Sequence, residues 1–205
     1  MSSFLNTNNI QKSTGGIEYH PLQPFIFPDT RLLFLGSFPP QRKRWCMDFF
    51  YPNFINDHWR IQGLVFYDDK DYFVDNQHKC FKLDLIIAHC RKYGIGFFDT
   101  ASAVRRLVDN ASDKFLEVVQ PTDILSLIRR SSQLTAIITT GAKATETVCQ
   151  TLSISSIPAV GETVPVPQTV GLSLGRLPSS SRAYPMNILK KAEAYKTMFQ
   201  RFISL

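Results

Sequence analysis

Three segments of this chain gather residue types that can grip a flat, polar ring carried on an anionic backbone. The first is Gly36-Ser37-Phe38-Pro39-Pro40-Gln41-Arg42-Lys43-Arg44-Trp45, which follows an apolar run. Gly36 lets the main chain approach a ligand closely. The successive N–H groups of Ser37 and Phe38 can hold carbonyl oxygens or an anion, and Arg42, Lys43 and Arg44 offer charge to phosphates. The second segment, Phe49 to Trp59, is dense in rings and amides. Phe50 and Tyr51 are candidate stacking plates, and Asn53 and Asn56 can each read the edge of an extruded heterocycle. The third, Leu177-Pro178-Ser179-Ser180-Ser181-Arg182-Ala183-Tyr184-Pro185-Met186-Asn187, supplies small hydroxyls that cap amides or grip phosphates, and Arg182 and Tyr184 can fill the gap left by an extruded base. Each segment also has a plain reading: a strand-end turn with solvated charges, an aromatic core segment with Asn56 in a turn, and a Ser-rich connector.

The elements that must position these segments follow from periodicity. Arg31-LLFLGS, Ile95-GFFDT, Thr135-AIITT and Val170-GLSLG are short apolar or β-branched runs, and each reads as a strand. Phe81 to Tyr93 has helical spacing and stops at Gly94. Pro121-Thr122-Asp123 opens a helix before Ile124-LSLI, Ala142 to Leu152 forms another, and Leu189, Ala192, Tyr195, Phe199 and Phe202 mark a C-terminal amphipathic helix. Alternation of this kind predicts an α/β fold with a central four-stranded, mainly parallel sheet flanked by helices. Functional residues then gather past the carboxyl ends of the strands, in the loops after Ser37, Thr100, Thr140 and Gly175. Ser153 to Gln168 reads as a loop or irregular edge.

Composition sets the outer limits. A chain of 205 residues with 44% hydrophobic residues supports one domain with a real core, expected over residues 20–205 behind a loose polar tail of residues 1–19. The net charge of +6 favours a polyanionic partner. Cys46, Cys80, Cys90 and Cys149 form no C-x-x-C pair, which argues against a zinc ribbon or an iron–sulfur cluster and for a reducing compartment. With no secretory signal and no membrane-spanning run, a cytoplasmic monomer is expected.

Taken together, LFLGSFPP, YPNFINDHW and LPSSSRAYPMN resemble the uracil-DNA glycosylase superfamily, most closely its branch of mismatch-specific and hypoxanthine-DNA glycosylases. GIGFFDT and TTGAKATE resemble that family's middle strands, so the likeness runs from about Leu32 to Phe199. The resemblance implies DNA as partner, base flipping, and hydrolysis of the N-glycosidic bond of a deaminated base, uracil first and hypoxanthine second, with no metal or organic cofactor. In it, Gly36 to Pro39 corresponds to the water-activating and base-binding loop. Relatives with a Gly-x-Asn-Pro pattern carry their catalytic asparagine where this chain has Phe38, so that amide is missing. The hypoxanthine-type branch also has an apolar residue there, and its important asparagine lies in a Tyr-Gly-His-Pro-Arg-Asn-x-Phe-Trp segment. This chain matches it at Tyr51, Asn56 and Trp59, with Asn53 in the histidine position. The implied roles are the key amide for Asn56, the stacking ring for Tyr51 with Phe50 as alternative, and backbone stabilisation of the departing base anion for Ser37 and Phe38. Pro178, Ser179, Ser180 and Ser181 match the DNA-intercalation loop, with Leu177 where relatives place a polar leaving-group donor.

Other polar residues carry simpler readings. His89 is expected as a surface or half-buried residue of its helix, and His58 lies inside the second motif. Asp99 ends a predicted strand, where it either orients water or caps a following helix, the cap being favoured. Asp113, in Asn110-Ala111-Ser112-Asp113, resembles a Ser-Leu-Asp stretch of the hypoxanthine-type branch, with helix N-capping the simpler reading. Two other functions remain open beside the glycosylase: a noncatalytic DNA-binding or damage-sensing protein on the same fold, and a small-molecule hydrolase with a strand-end pocket.

Overall fold

The computed structural model describes residues 16–107, 115–167 and 169–205. In chain order its elements are β1 (Glu18–Tyr19), β2 (Leu32–Gly36), a 3-10 turn (Arg42–Arg44), α1 (His58–Tyr67), β3 (Val74–Asp75), β4 (Cys80–Phe81), α2 (Leu83–Tyr93), β5 (Ile95–Asp99), β6 (Ala101–Arg106), β7 (Leu116–Pro121), α3 (Ile124–Ile128), β8 (Ala136–Thr140), α4 (Ala142–Thr151), β9 (Thr163–Pro165), β10 (Ser173–Leu177) and α5 (Ile188–Gln200).

The central sheet has the order β5-β2-β8-β10-β9. β5, β2, β8 and β10 run parallel, and β9 closes one edge antiparallel to β10. The sheet therefore has five strands rather than the expected four. The addition, β9, lies within the stretch read as an irregular edge, where prolines and half-exposed side chains hide any alternation. Leu32 to Leu35 are wholly buried. Phe34 meets His58 of α1 and Phe199 of α5 on one face, and because side chains alternate along a strand, Leu33 and Leu35 bury the other. α1 packs on α5, α2 on β5, α4 on β8 and α5 on β10.

Helix ends follow local chemistry. α2 stops where Gly94 takes φ +68°, and its N–H closes onto the last turn. Asp123 accepts the Ser126 N–H at 3.0 Å to open α3, and Asn187 accepts the Leu189 N–H at 2.8 Å to open α5. α2 begins at Leu83, two residues after the expected Phe81, because Cys80–Phe81 pair with Val74–Asp75 in a small hairpin.

A second, antiparallel sheet of order β1-β6-β7 stands beside the first. Glu18 and Tyr19, expected in the loose tail, pair with Val104 and Ala103. Asp99 is not a helix cap, since the next element is β6. His89 is fully buried rather than exposed or half-buried. Asp113 lies outside the described residues. No helix among the described residues is long and apolar enough to cross a membrane.

Candidate active site at the carboxyl ends of the strands

Parallel register places Gly36 beside Asp99 and Leu177 beside Thr140, so four strands end along one rim of the sheet. All three candidate segments leave from or abut this rim.

The first segment departs at Gly36. Gly36 is required there by shape, because a Cβ would overlap the Asp99 carboxylate. The Thr100 N–H donates to Gly36 O at 2.8 Å and the Ala101 N–H to Ser37 O at 3.2 Å, so the loop is stitched to the turn between the two sheets. Ser37 is buried, and the Phe38 ring packs with Ala101, Val104 and Leu116 beneath the second sheet. Phe38 thus contributes its backbone to the rim and its side chain to a core. Pro39 O accepts the Arg106 guanidinium at 2.6 Å, and Arg106 also pairs with Glu18 at 3.0 Å. In the 3-10 turn, Arg42 and Lys43 are exposed and Arg44 is partly buried. Arg42 stacks 4.4 Å over Trp45 and pairs with Asp48.

The second segment is a short aromatic wall. Phe50 is buried and stacks on Phe97 at 5.7 Å, which makes it a core ring. Tyr51 is only partly buried and takes φ +52°, a strained backbone for a bulky residue. Its ring lies flat on His58 at 3.7 Å, and its hydroxyl reaches Thr140 Oγ1 at 2.9 Å. Asn53 Oδ1 accepts the Ile55 N–H at 3.1 Å, and Asn56 Oδ1 accepts the His58 N–H at 2.9 Å. Asn56 therefore spends its oxygen on the turn that opens α1, while its NH2 group makes no hydrogen bond among the described residues. Trp59 anchors the wall by donating to Phe50 O at 3.1 Å.

Beneath the wall runs a buried polar chain. His58 Nε2 meets Gln62 at 3.3 Å, Gln62 meets His89 at 3.2 Å, and His89 meets the Tyr67 hydroxyl at 3.1 Å. Burial, helped by the neighbouring His89, holds His58 well below its ordinary value. Burial, helped by Lys92, pushes His89 down to about 3. Both rings are neutral core residues.

The third segment meets the second. Asp57 N–H donates to Ser180 O at 3.1 Å, and Arg182 Nε donates to Asp57 Oδ1 at 2.9 Å. Ser179 Oγ accepts the Ser181 N–H at 3.2 Å and Ser181 Oγ accepts the Ala183 N–H at 3.2 Å, so two of the hydroxyls are engaged in local turns. From below, Tyr195 donates to Pro178 O at 3.2 Å and Lys191 to Ser181 O at 2.7 Å. Burial raises Tyr195 well above its ordinary value and lowers Lys191. Leu177 and Ser180 are buried.

One polar pair at the rim was not singled out from sequence. His20 Nε2 lies 2.9 Å from Asp99 Oδ2, although 79 residues separate them. The His20 ring packs against Phe98 at 4.5 Å and Phe38 at 5.3 Å. The available signal was an acidic residue ending a buried strand. Its partner sits in a stretch with no periodicity. Among the described residues no cluster of His, Cys, Asp and Glu could hold a metal ion.

No family model and no curated protein matches this sequence. The fold is similar to the solution NMR structure of a Methanosarcina acetivorans protein that is provisionally assigned as a uracil DNA glycosylase. The TM-score is 0.59 at 21% identity, covering 90% of this chain and 99% of that one.

Proposed function

We propose that this chain is a DNA glycosylase of the uracil-DNA glycosylase superfamily that flips a deaminated base, uracil or hypoxanthine, out of DNA and hydrolyses its N-glycosidic bond. The observation that carries this reading is the meeting of all three motif segments on one rim of a sheet whose fold is shared with the Methanosarcina protein. In this reading Tyr51 is the plate on which the extruded base stacks. The Asn56 NH2 group, left over by the turn, reads the base or a water. Backbone N–H groups of Ser37 and Phe38 meet the departing base anion, as preorganised donors do when charge develops in a transition state. Arg42, Lys43 and Arg44 meet phosphates from one side of the rim, and Pro178 to Arg182 from the other.

The test is incubation with duplexes carrying uracil, hypoxanthine, xanthine or a thymine mismatch, followed by chromatography of released base and cleavage of alkali-labile sites. Release of a free base supports the assignment. DNA binding with no release on any of the four supports the alternative, a noncatalytic damage-sensing protein. A specific observation favours that alternative: Phe38 and Leu177, at the two positions where relatives carry polar groups, are both buried apolar residues.

A further inference from the structure

We propose that Asp99 is the carboxylate that orients and deprotonates the attacking water, and that His20 is the positioning residue that holds it; this rests on the glycosylase reading above.

The carboxylate's location is over-determined. Asp99 closes β5 directly beside Gly36 in parallel register. Its Oδ1 occupies the space that any other residue at position 36 would fill with Cβ. The side chain is thereby drawn over the backbone of the first loop instead of out into solvent, yet it remains 11% exposed. Its other oxygen is taken by His20 Nε2 at 2.9 Å.

His20 is itself held for this task. Its backbone N–H donates to Ser102 O at 2.8 Å, fixing the end of β1 to the second sheet. Its side chain is only 3% exposed. Two partners stand at Nδ1, Leu22 O at 2.9 Å and the Leu22 N–H at 3.1 Å. Nδ1 thus has a partner whichever role its tautomer gives it, and the ring is fixed in place with Nε2 turned to Asp99.

The chemistry follows from what remains. With Oδ2 bonded to His20, Oδ1 is the lone-pair site left to accept an O–H of water. Phe38 offers no side-chain acceptor, since its ring lies in the core beneath the second sheet. In the hydrolysis the water oxygen bonds to C1′ of the sugar while the C1′–N bond breaks, its electron pair leaving with the base nitrogen. The water's proton passes to Asp99. The base anion takes up a proton from solvent, and Asp99 returns its own, so the products are the free base and an abasic sugar hydroxyl.

The experiment uses the full chain and uracil- and hypoxanthine-containing duplexes. Single-turnover excision rate, DNA affinity and melting temperature are measured for the wild type and for D99N, H20A and H20Q. General-base catalysis is typically worth about 10²- to 10⁴-fold, so D99N is expected to lose that much rate with its DNA affinity unchanged. H20A loses part of the rate, and H20Q, whose amide can still donate to Asp99, recovers most of it. Wild-type activity with D99N equally active overturns the proposal but leaves the glycosylase reading intact. So does a D99N defect that appears in affinity or base preference rather than in rate. Should D99N fail to fold, equal rates for H20A and H20Q overturn the positioning role. A wild type that releases no base overturns the glycosylase reading, and this proposal with it.

Discussion

Arg182 and Asp57 form an ion pair at 2.9 Å that joins the loop after β10 to the turn before α1. Arg182 is 53% exposed and Asp57 only 11%, so the pair is a hinge pin with one end in solvent. Surface pairs of this kind contribute about 1 kcal/mol or less. R182A is expected to lower the denaturation midpoint slightly and to weaken DNA binding less than changes in the 3-10 turn, because its charge is already spent on Asp57. A loss of DNA affinity in R182A exceeding that of the triple variant below would refute this.

The basic turn should account for most of the salt dependence. Each phosphate that no longer has a cationic side chain beside it flattens the slope of log K against log[salt] by about 0.9 on duplex DNA. Lys43 and Arg42 are exposed, while Arg44 is partly buried and Arg42 is shared with Asp48. A combined R42A/K43A/R44A variant should therefore flatten the slope by about 0.9–1.8, the value for one or two phosphates rather than three. Fluorescence anisotropy across a salt titration reads this directly, and an unchanged slope would remove the turn from the DNA interface.

Asn56 has one structural task and, in the proposed function, a second at the base, and different substitutions separate the two. Its Oδ1 supports the first turn of α1 through the His58 N–H. N56A should cost about 1 kcal/mol of stability for the lost cap-like bond and at least about 10²-fold in excision for the lost polar group. N56D keeps the oxygen and removes the NH2 donors, so it should melt like the wild type while losing the same activity. Full excision activity in N56D would show that Asn56 is a turn residue only.

Acid should weaken the fold through its buried histidines. In the unfolded chain a histidine takes up a proton near pH 6.5. In the native protein burial keeps His89 neutral down to about 3, and His58 is shifted the same way. Over that window the unfolded state binds more protons, so stability is fully present above about pH 6.5 and falls as the pH drops. Urea midpoints at about pH 7 and about pH 5 should differ accordingly, and H89Q should reduce the difference. A midpoint independent of pH across this range would contradict the neutral, buried assignment.

Restoring the missing amide by Phe38→Asn should fail as a gain of function. The ring packs with Ala101, Val104 and Leu116, and truncating a buried phenylalanine costs about 3–5 kcal/mol. The variant is expected to be markedly destabilised and no faster at excision. A stable Phe38→Asn protein with a raised rate would mean that the loop can turn its side chain towards the rim.

Three of the four parallel strands could be read from the chain because each is an apolar run buried on both faces and closed by a small or polar residue; the fourth, expected over Val170 to Gly175, instead starts at Ser173 and runs through Arg176 to Leu177, with Val170 fully exposed. The second sheet could not be read this way. β6 mixes Ser102, Arg105 and Arg106 among small residues, β7 leaves nearly every side chain exposed, and β1 is two residues long. Such strands exist only because they pair with one another. α1 was equally hidden, since seven of its ten residues are buried and no polar face marks a period. Of the residues proposed for the site, Gly36, Tyr51 and Asn56 were open to a reading from local chemistry. The His20–Asp99 pair depends on a bridge between the N-terminal segment and β5 that no spacing rule encodes.

The burial of Phe38 also shapes what mutation and selection can reach from this sequence. An amide at position 38 cannot be tried alone, because the first step opens a hole in the small core beneath the second sheet. Filling the void first, by enlarging Ala101, crowds a ring that is still present. The path to the Gly-x-Asn-Pro arrangement therefore runs through a valley in stability whichever substitution comes first. Under the proposed function, a protein that carries Phe38 relies on backbone donors and on polar groups contributed by other elements, and a library that seeks to place an amide there must vary positions 38, 101, 104 and 116 together.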